Sequence, residues 1–425
     1  MHGANLRRHR LNRMIGLARV YRGWNSNELR DALGRDAGRL ASGSGNPKLD
    51  LVARVADALE WDLGEVAESI WDASDETPLE VNEHESFASL DAQAQRLHRE
   101  SSYPEMEAVG KAMRRIARNG TERAVAANRL AGAYDGMGRF PRVLQCVREG
   151  LAERGVRDEI RLMLSVNLAG AYYALWNLHE ARAIATSVIE SLAARAGNTR
   201  MQRVAYAFAH GLRGQCARRL LSECDSPQMC TRLAREAESD LECASQRYAE
   251  LADQYGDAQY AGLAHTSEGA LLEVRAASGA ILPIDAIASI VQRLESAIDL
   301  DKAPCADLLE SCGWWSVFGA NIALRAGERT VIHVSERSEL ERALAICTNK
   351  AAEIAEHLDL WPLRERAFTL EWFRRQQSAG ELPVECNAWV LDADDVRVLV
   401  GTMGRFPLFR ATGWEILDQA MLTVD

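Results

Sequence analysis

Aromatic residues make up only 6% of this 425-residue sequence, and proline contributes 10 positions. Such scarcity of the residue that removes a backbone donor and breaks helices favours an all-α chain. The nine cysteines are irregularly spaced, odd in number and never form a Cys-x-x-Cys pair, so no disulfide framework is expected and the thiols read as free in a reducing compartment. The nine histidines form no His-Glu-x-x-His motif, and Cys224 and Cys230 lack a second pair that would complete a metal site. Gly43-Ser44-Gly45 precedes Asn46-Pro47 rather than a lysine-bearing helix, which excludes a phosphate loop. Asp394 and Asp395 open a helix, where acids favour the macrodipole. No catalytic residue, metal or cofactor is expected, and the chain does not read as an enzyme. Arg7, Arg8, Arg10 and Arg13 are followed by no apolar stretch of the signal-peptide kind. The longest uncharged run, Leu162 to His179, contains Ser165, Asn167 and Asn177 and reads as a core helix, with no membrane span. A cytoplasmic location is expected.

What is present is an uneven charge. The net −11 divides into a head, residues 1–48, with ten Arg or Lys and three acids (Glu28, Asp31, Asp36), and a remainder at −18. A head at +7 suits a polyanion, and an acidic body repels one.

Residues 12 to 72 divide into short helical segments. Arg13 to Arg22 carries Ile15, Leu17, Ala18 and Tyr21 and stops at Gly23. Asn25 with Glu28 three positions on is a capping-box arrangement. Leu29, Ala32 and Leu33 follow, and Gly34 closes the segment. Asp36 to Ser42 is short. After the loop from Gly43 to Pro47, Leu49, Leu51, Val52, Val55, Ala56, Ala58 and Leu59 form an amphipathic helix, and Leu63, Val66 and Ile70 mark another. From Gly16 to about Ile70 this order resembles the Cro/C1-type (Xre-like) helix-turn-helix family, through Arg22-Gly23-Trp24-Asn25-Ser26-Asn27-Glu28-Leu29, Ala32-Leu33-Gly34, Arg39-Leu40-Ala41-Ser42-Gly43 and Asn46-Pro47. The resemblance implies a third helix in the DNA major groove. It puts Ser26 at a phosphate, puts Arg35 and Arg39 on the reading helix, and adds Asn27, Ser42 and Ser44 to the expected DNA contacts. One departure bears on that role. Between Gly34 and Gly43 the chain is about three residues shorter than the usual pattern, and Gly38 inside the third helix costs roughly 1 kcal/mol relative to Ala. The alternative is a docking module that no longer binds DNA.

Asp72 to Glu85 holds six acids and no Lys or Arg and reads as a solvated linker. Beyond it, helical segments alternate with short breaks. Leu130-Ala131-Gly132-Ala133-Tyr134, then Gly138, Phe140, Val143 and Val147, recur as Leu168-Ala169-Gly170-Ala171-Tyr172, then Leu178, Ala181, Ala185 and Val188. This resembles the tetratricopeptide (TPR) helix pair, with a weaker unit at Ala94, Leu97, Tyr103 and Met106 and degenerate pairs downstream. Met403-Gly404-Arg405-Phe406-Pro407 repeats Met137-Gly138-Arg139-Phe140-Pro141, so Asp392 to Leu422 is expected to cap the array. The resemblance to peptide-binding arrays implies that Asn167, and with it Asn128 and Asn321, holds a ligand backbone, since an amide both donates and accepts. These residues equally suit a bridging role between helices. Tyr173 and Trp315 are placed on the same partner-facing set. Trp314 and Trp315 point about 100° apart on a helix, so only one of them belongs to the core.

The expected architecture is all-α: a helix-turn-helix unit at 1–72, an acidic linker at 73–85, a TPR-like α-solenoid at 86–382 and a capping pair at 383–425. The expected function is a DNA-binding transcription regulator, a homodimer on a palindromic double-stranded operator, whose body binds a peptide or protein effector. The alternative is a protein-binding scaffold with a degenerate helix-turn-helix.

Overall fold

The computed structural model describes residues 2–34, 48–61, 63–71, 86–193, 199–297, 299–302, 305–327, 334–378 and 389–422. The chain separates into two compact units, Met1–Glu83 and His84–Asp425. Helices are numbered below among the described residues.

The first unit contains α1 (His2–Arg22), α2 (Ser26–Leu33), α3 (Leu49–Leu59) and α4 (Leu63–Trp71). Its core joins Leu11, Met14, Ile15 and Ala18 of α1 to Leu29 and Leu33 of α2, Val52 and Val55 of α3, and Val66 and Ile70 of α4. Helix α1 starts eleven residues before the segment read from sequence, because Leu11 continues the buried stripe of Met14, Ile15 and Ala18 by one turn. Arg22 then reaches the far end of α3. Its Nε donates to Ala58 O at 2.7 Å and its Nη2 lies 3.0 Å from Glu60 Oε1. A guanidinium at a helix C-terminus satisfies carbonyls that have no partner inside the helix and complements the macrodipole.

The second unit is a run of helix pairs: α5 (Phe87–Arg99) with α6 (Tyr103–Ile116), α7 (Gly120–Gly136) with α8 (Phe140–Ala152), α9 (Asp158–Ala174) with α10 (Leu178–Ala193), α11 (Arg200–Ser222) with α12 (Pro227–Tyr255), α13 (Ala258–Ser278) with α14 (Pro283–Leu294), and α15 (Ala306–Gly327) with α16 (Val334–His357). A single helix α17 (Trp361–Ser378) follows, then β1 (Trp389–Leu391), α18 (Ala393–Arg405), α19 (Arg410–Gln419) and β2 (Ala420–Leu422). The two strands pair in parallel, with Trp389 opposite Ala420 and Leu391 opposite Leu422. Small side chains allow successive pairs to approach closely. A Cβ on Gly262 of α13 would stand 2.7 Å from the Asp307 carbonyl oxygen at the start of α15, so that crossing admits no side chain.

The C-terminal helices do more than cover the last pair. Leu399, Met403, Phe406, Phe409 and Ile416 enter one apolar cluster with Tyr134, Phe140, Val143, Val147 and Leu164 of the second and third pairs. The two copies of Met-Gly-Arg-Phe-Pro meet there: Phe140 and Phe406 lie 5.6 Å apart at 52°, and Arg405 Nε donates to Met137 O at 3.0 Å. The expected cap therefore folds back onto the second pair, because both copies place an aromatic at the same point of a turn.

That turn has a backbone requirement. Gly138 has φ +68°, and a Cβ there would meet Arg405 Cδ and Trp361 Cβ, both at 3.0 Å. Gly138→Ala combines a left-handed backbone with crowding and is expected to lower stability by about 1–2 kcal/mol, read as a reduced urea midpoint with unchanged slope. One repeat later the same turn is occupied by Trp176 at φ +63°. This strained conformation is held by Arg219 and Arg366, whose guanidinium carbons lie 4.1 and 5.3 Å from the indole centroid.

Candidate functional site

In the head, α2 begins where the sequence places it. Asn25 Oδ1 accepts from the backbone N–H groups of Asn27 and Glu28 at 2.9 and 3.1 Å, and Glu28 Oε2 accepts from Asn25 N at 2.8 Å. This reciprocal cap fixes the first turn and leaves the Ser26 and Asn27 side chains exposed at the positive end of the helix. Arg35, Arg39, Ser42 and Ser44 lie outside the described residues, as does the whole segment from Asp36 to Ser42 expected as a short third helix.

In the body, all five residues expected to meet a partner are engaged with one another or with neighbouring helices. Asn167 Nδ2 of α9 donates to Asn128 Oδ1 of α7 at 2.8 Å, and Asn321 Nδ2 of α15 donates to Glu273 Oε2 of α13 at 3.2 Å. The asparagines thus bridge the first helices of successive pairs. Tyr173 is half-buried beneath Arg219, whose guanidinium carbon stands 3.8 Å from the ring centroid and whose Nη1 donates to Tyr173 O at 3.1 Å. Burial brings the pKa of Arg219 down to about 10. Trp315 departs from expectation. It is 3% exposed, stacks on His265 at 4.6 Å and donates its indole N–H to His265 O at 2.7 Å. It is therefore the core member of the tryptophan pair. Trp314, half-buried with its indole N–H directed to Glu310 at 3.3 Å, is the other. Adjacency in sequence could not tell which of the two faced inward.

Residues from several helix pairs converge on a cavity of about 490 Å³. Its walls come from six turns or helix starts and include His98, Tyr103, Asp257, Asp307, Glu310 and Trp361. Trp361 carries the guanidiniums of Arg405 and Arg364 at 3.6 and 4.6 Å from its ring centroid. Burial raises the pKa of Asp307 and of Glu310. Among the described residues Asp307 and Glu310 have no ion-pair partner, but Arg99, Arg139 and Arg405 line the same cavity, so its walls present both charges. Only the fold assembles this set, since its members are scattered from residue 98 to 405.

Among the described residues there is no group of His, Cys, Asp and Glu that could hold a metal ion, and no helix long and apolar enough to cross a membrane. The uncharged run from Leu162 is broken after Ala174, where α9 ends.

The class defined by these observations is an all-α protein, with a small helical unit, four helices among the described residues, followed by stacked helix pairs. No family model matches the sequence, and no curated protein is significantly similar to it. Among solved structures, that of Bacillus thuringiensis PlcR in complex with the peptide PapR7 and DNA aligns with 70% of this chain and 99% of its own, at 14% identity and a TM-score of 0.36.

Proposed function

We propose that the protein is a DNA-binding transcription regulator whose helix-pair body binds a peptide or protein effector and forms a homodimer. The observation that carries this reading is the head. It is a small helical unit with its own apolar core, its second helix is capped by Asn25 so that Ser26 and Asn27 are exposed, and it bears +7 over residues 1–48 of a chain that is otherwise −18. Such a charge excess is what phosphate neutralisation uses and what a purely protein-binding module does not need. In the body, the cavity lined by Asp307 and Glu310 and by Arg99, Arg139 and Arg405 presents both charges, as the termini of a peptide do. An effector that binds one arrangement of the helix pairs more tightly shifts the spacing of two heads in a dimer, and DNA affinity follows by linkage.

The test is fluorescence anisotropy of duplex DNA with the whole protein at several salt concentrations. Affinity is expected to fall steeply with salt, and Arg35→Ala and Arg39→Ala are each expected to weaken binding by about 1–3 kcal/mol. A flat salt response together with indifferent variants would instead favour a protein-binding scaffold.

A further inference from the structure

In one part of the acidic body the charge balance reverses. Arg218 and Arg219 of α11, Arg325 of α15 and Arg366 of α17 are met, among the described residues, by Glu273 and Glu365 alone. Glu273 serves two of them, Arg218 at 2.7 Å and Arg325 at 3.1 Å. Glu365 Oε1 lies 3.8 Å from Arg366 Nη1, beyond hydrogen-bond reach, and accepts instead from Thr369 Oγ1 at 3.1 Å. Arg219 pairs with no acid among the described residues, yet it is only 8% exposed. A charge at that depth is costly unless something neutralises it.

The surroundings of Arg219 fix its orientation. Its guanidinium carbon lies 3.8 Å from the ring centroid of Tyr173 and 4.1 Å from that of Trp176, and the Arg366 guanidinium stands 5.3 Å from the same indole. Stacking sets the plane of a guanidinium and leaves its N–H edges for acceptors. The hydrogen bond that Arg219 makes uses Nη1, which donates to Tyr173 O at 3.1 Å. Nε and Nη2 have no partner among the described residues, and neither is fully buried. These two nitrogens share one edge of the fork, the kind of edge that holds two oxygens of one anion at once. Trp176, the platform for both arginines, keeps a left-handed backbone at φ +63°, a strain of the kind that persists at ligand clamps. Burial lowers the pKa of Arg219, and the positive charges of Arg218 and Arg366 act in the same direction, whereas Tyr173 and Glu365 oppose it.

We propose that Arg219 and Arg366, mounted on Trp176, form a binding site for a small oxyanion, a carboxylate or a phosphate group. The oxyanion accepts from Nε and Nη2 of Arg219, and Arg366 supplies a second positive charge beside it. It thereby provides the counter-charge that the protein's own acids do not. This site shares no residue with the cavity lined by Asp307 and Glu310, and it stands independently of DNA binding by the head.

The test titrates the full-length protein with inorganic phosphate and, separately, with acetate, each against sodium chloride of equal ionic strength, and follows tryptophan fluorescence. A saturable change is expected with at least one oxyanion and none with chloride, and Trp176→Phe is expected to remove most of its amplitude. The oxyanion with the lower midpoint identifies the group as phosphate or carboxylate. Arg219→Lys, which keeps the charge but not the fork, and Arg366→Gln are each expected to raise that midpoint about tenfold. Saturation by neither oxyanion, a full-amplitude change in Trp176→Phe, or an unchanged midpoint in either folded arginine variant overturns the proposal. If Arg219→Lys loses its helical circular dichroism, Arg366→Gln decides.

Discussion

Glu273→Ala is expected to destabilise the body by about 3–5 kcal/mol, because it strips the counter-charge from a buried guanidinium. Glu273 is 1% exposed on α13. Its Oε2 accepts from Arg218 Nη1 of α11 at 2.7 Å and from Asn321 Nδ2 of α15 at 3.2 Å, and its Oε1 lies 3.1 Å from Arg325 Nη2. One carboxylate thus ties together the first helices of three successive pairs. Arg218, with a side chain 6% exposed, cannot turn to water. Burial opposes its charge, but Glu273 and Tyr173 more than offset this and raise its pKa. Arg325 is 30% exposed and can rehydrate, so most of the loss belongs to the Arg218 side. Glu273→Gln, which keeps the shape and one acceptor, is expected to cost about half as much. The double variant Arg218→Met with Glu273→Leu is expected to recover most of the loss, since an apolar pair of similar volume replaces a buried ion pair at little net cost. Urea unfolding of the three variants checks the ordering. A single Glu273→Ala within 1 kcal/mol of wild type would show that water reaches Arg218 after all.

How much of this was legible beforehand depends on the sequence distance over which each feature is decided. The cap at Asn25 and Glu28 spans three residues, and α3 carries its apolar period within Leu49–Leu59, so both could be read directly. The helix pairs beginning at Gly120 and Asp158 were legible because their small residues repeat where the helices cross. The bridging asparagines were half legible: their positions on the first helices were apparent, but whether Asn128 met a ligand or Asn167 depended on a neighbour 39 residues away. Glu273 looks like any helical acid in sequence, and only the approach of α11 and α15 makes it a buried tie. The same holds for His210 of α11 and Asp240 of α12, 2.7 Å apart, which no motif connects. Trp176 was hidden for a different reason. At its position the preceding repeat has Gly138, and a tryptophan gives no sign of a left-handed turn.

Phe406→Ala is expected to cost a further class of stability, about 3–5 kcal/mol, by removing a ring from the contact between the C-terminal helices and the second pair. Phe406 is 5% exposed and its partner Phe140 is 2% exposed, so truncation leaves a void lined by Leu399, Met403 and Val143 that water does not fill favourably. The adjacent polar contact is a poor substitute. Arg405 reaches Met137 O across 268 residues of chain, but one hydrogen bond is worth only about 1 kcal/mol net and the closure of so long a loop must be offset by apolar burial. Phe140→Ala should therefore produce a similar loss, and the double variant should lose much less than the sum, because either truncation already empties the same contact. Limited trypsin digestion gives a second readout. Cleavage after Arg397, Arg405 and Arg410 is expected to accelerate in Phe406→Ala well before global unfolding, since α18 and α19 are held by this cluster and by α17. If stability and cleavage both remain at wild-type levels, the repeated Met-Gly-Arg-Phe-Pro turn does not hold the C-terminal segment, and the burden of closure falls on Trp389, Phe368 and Phe409 instead.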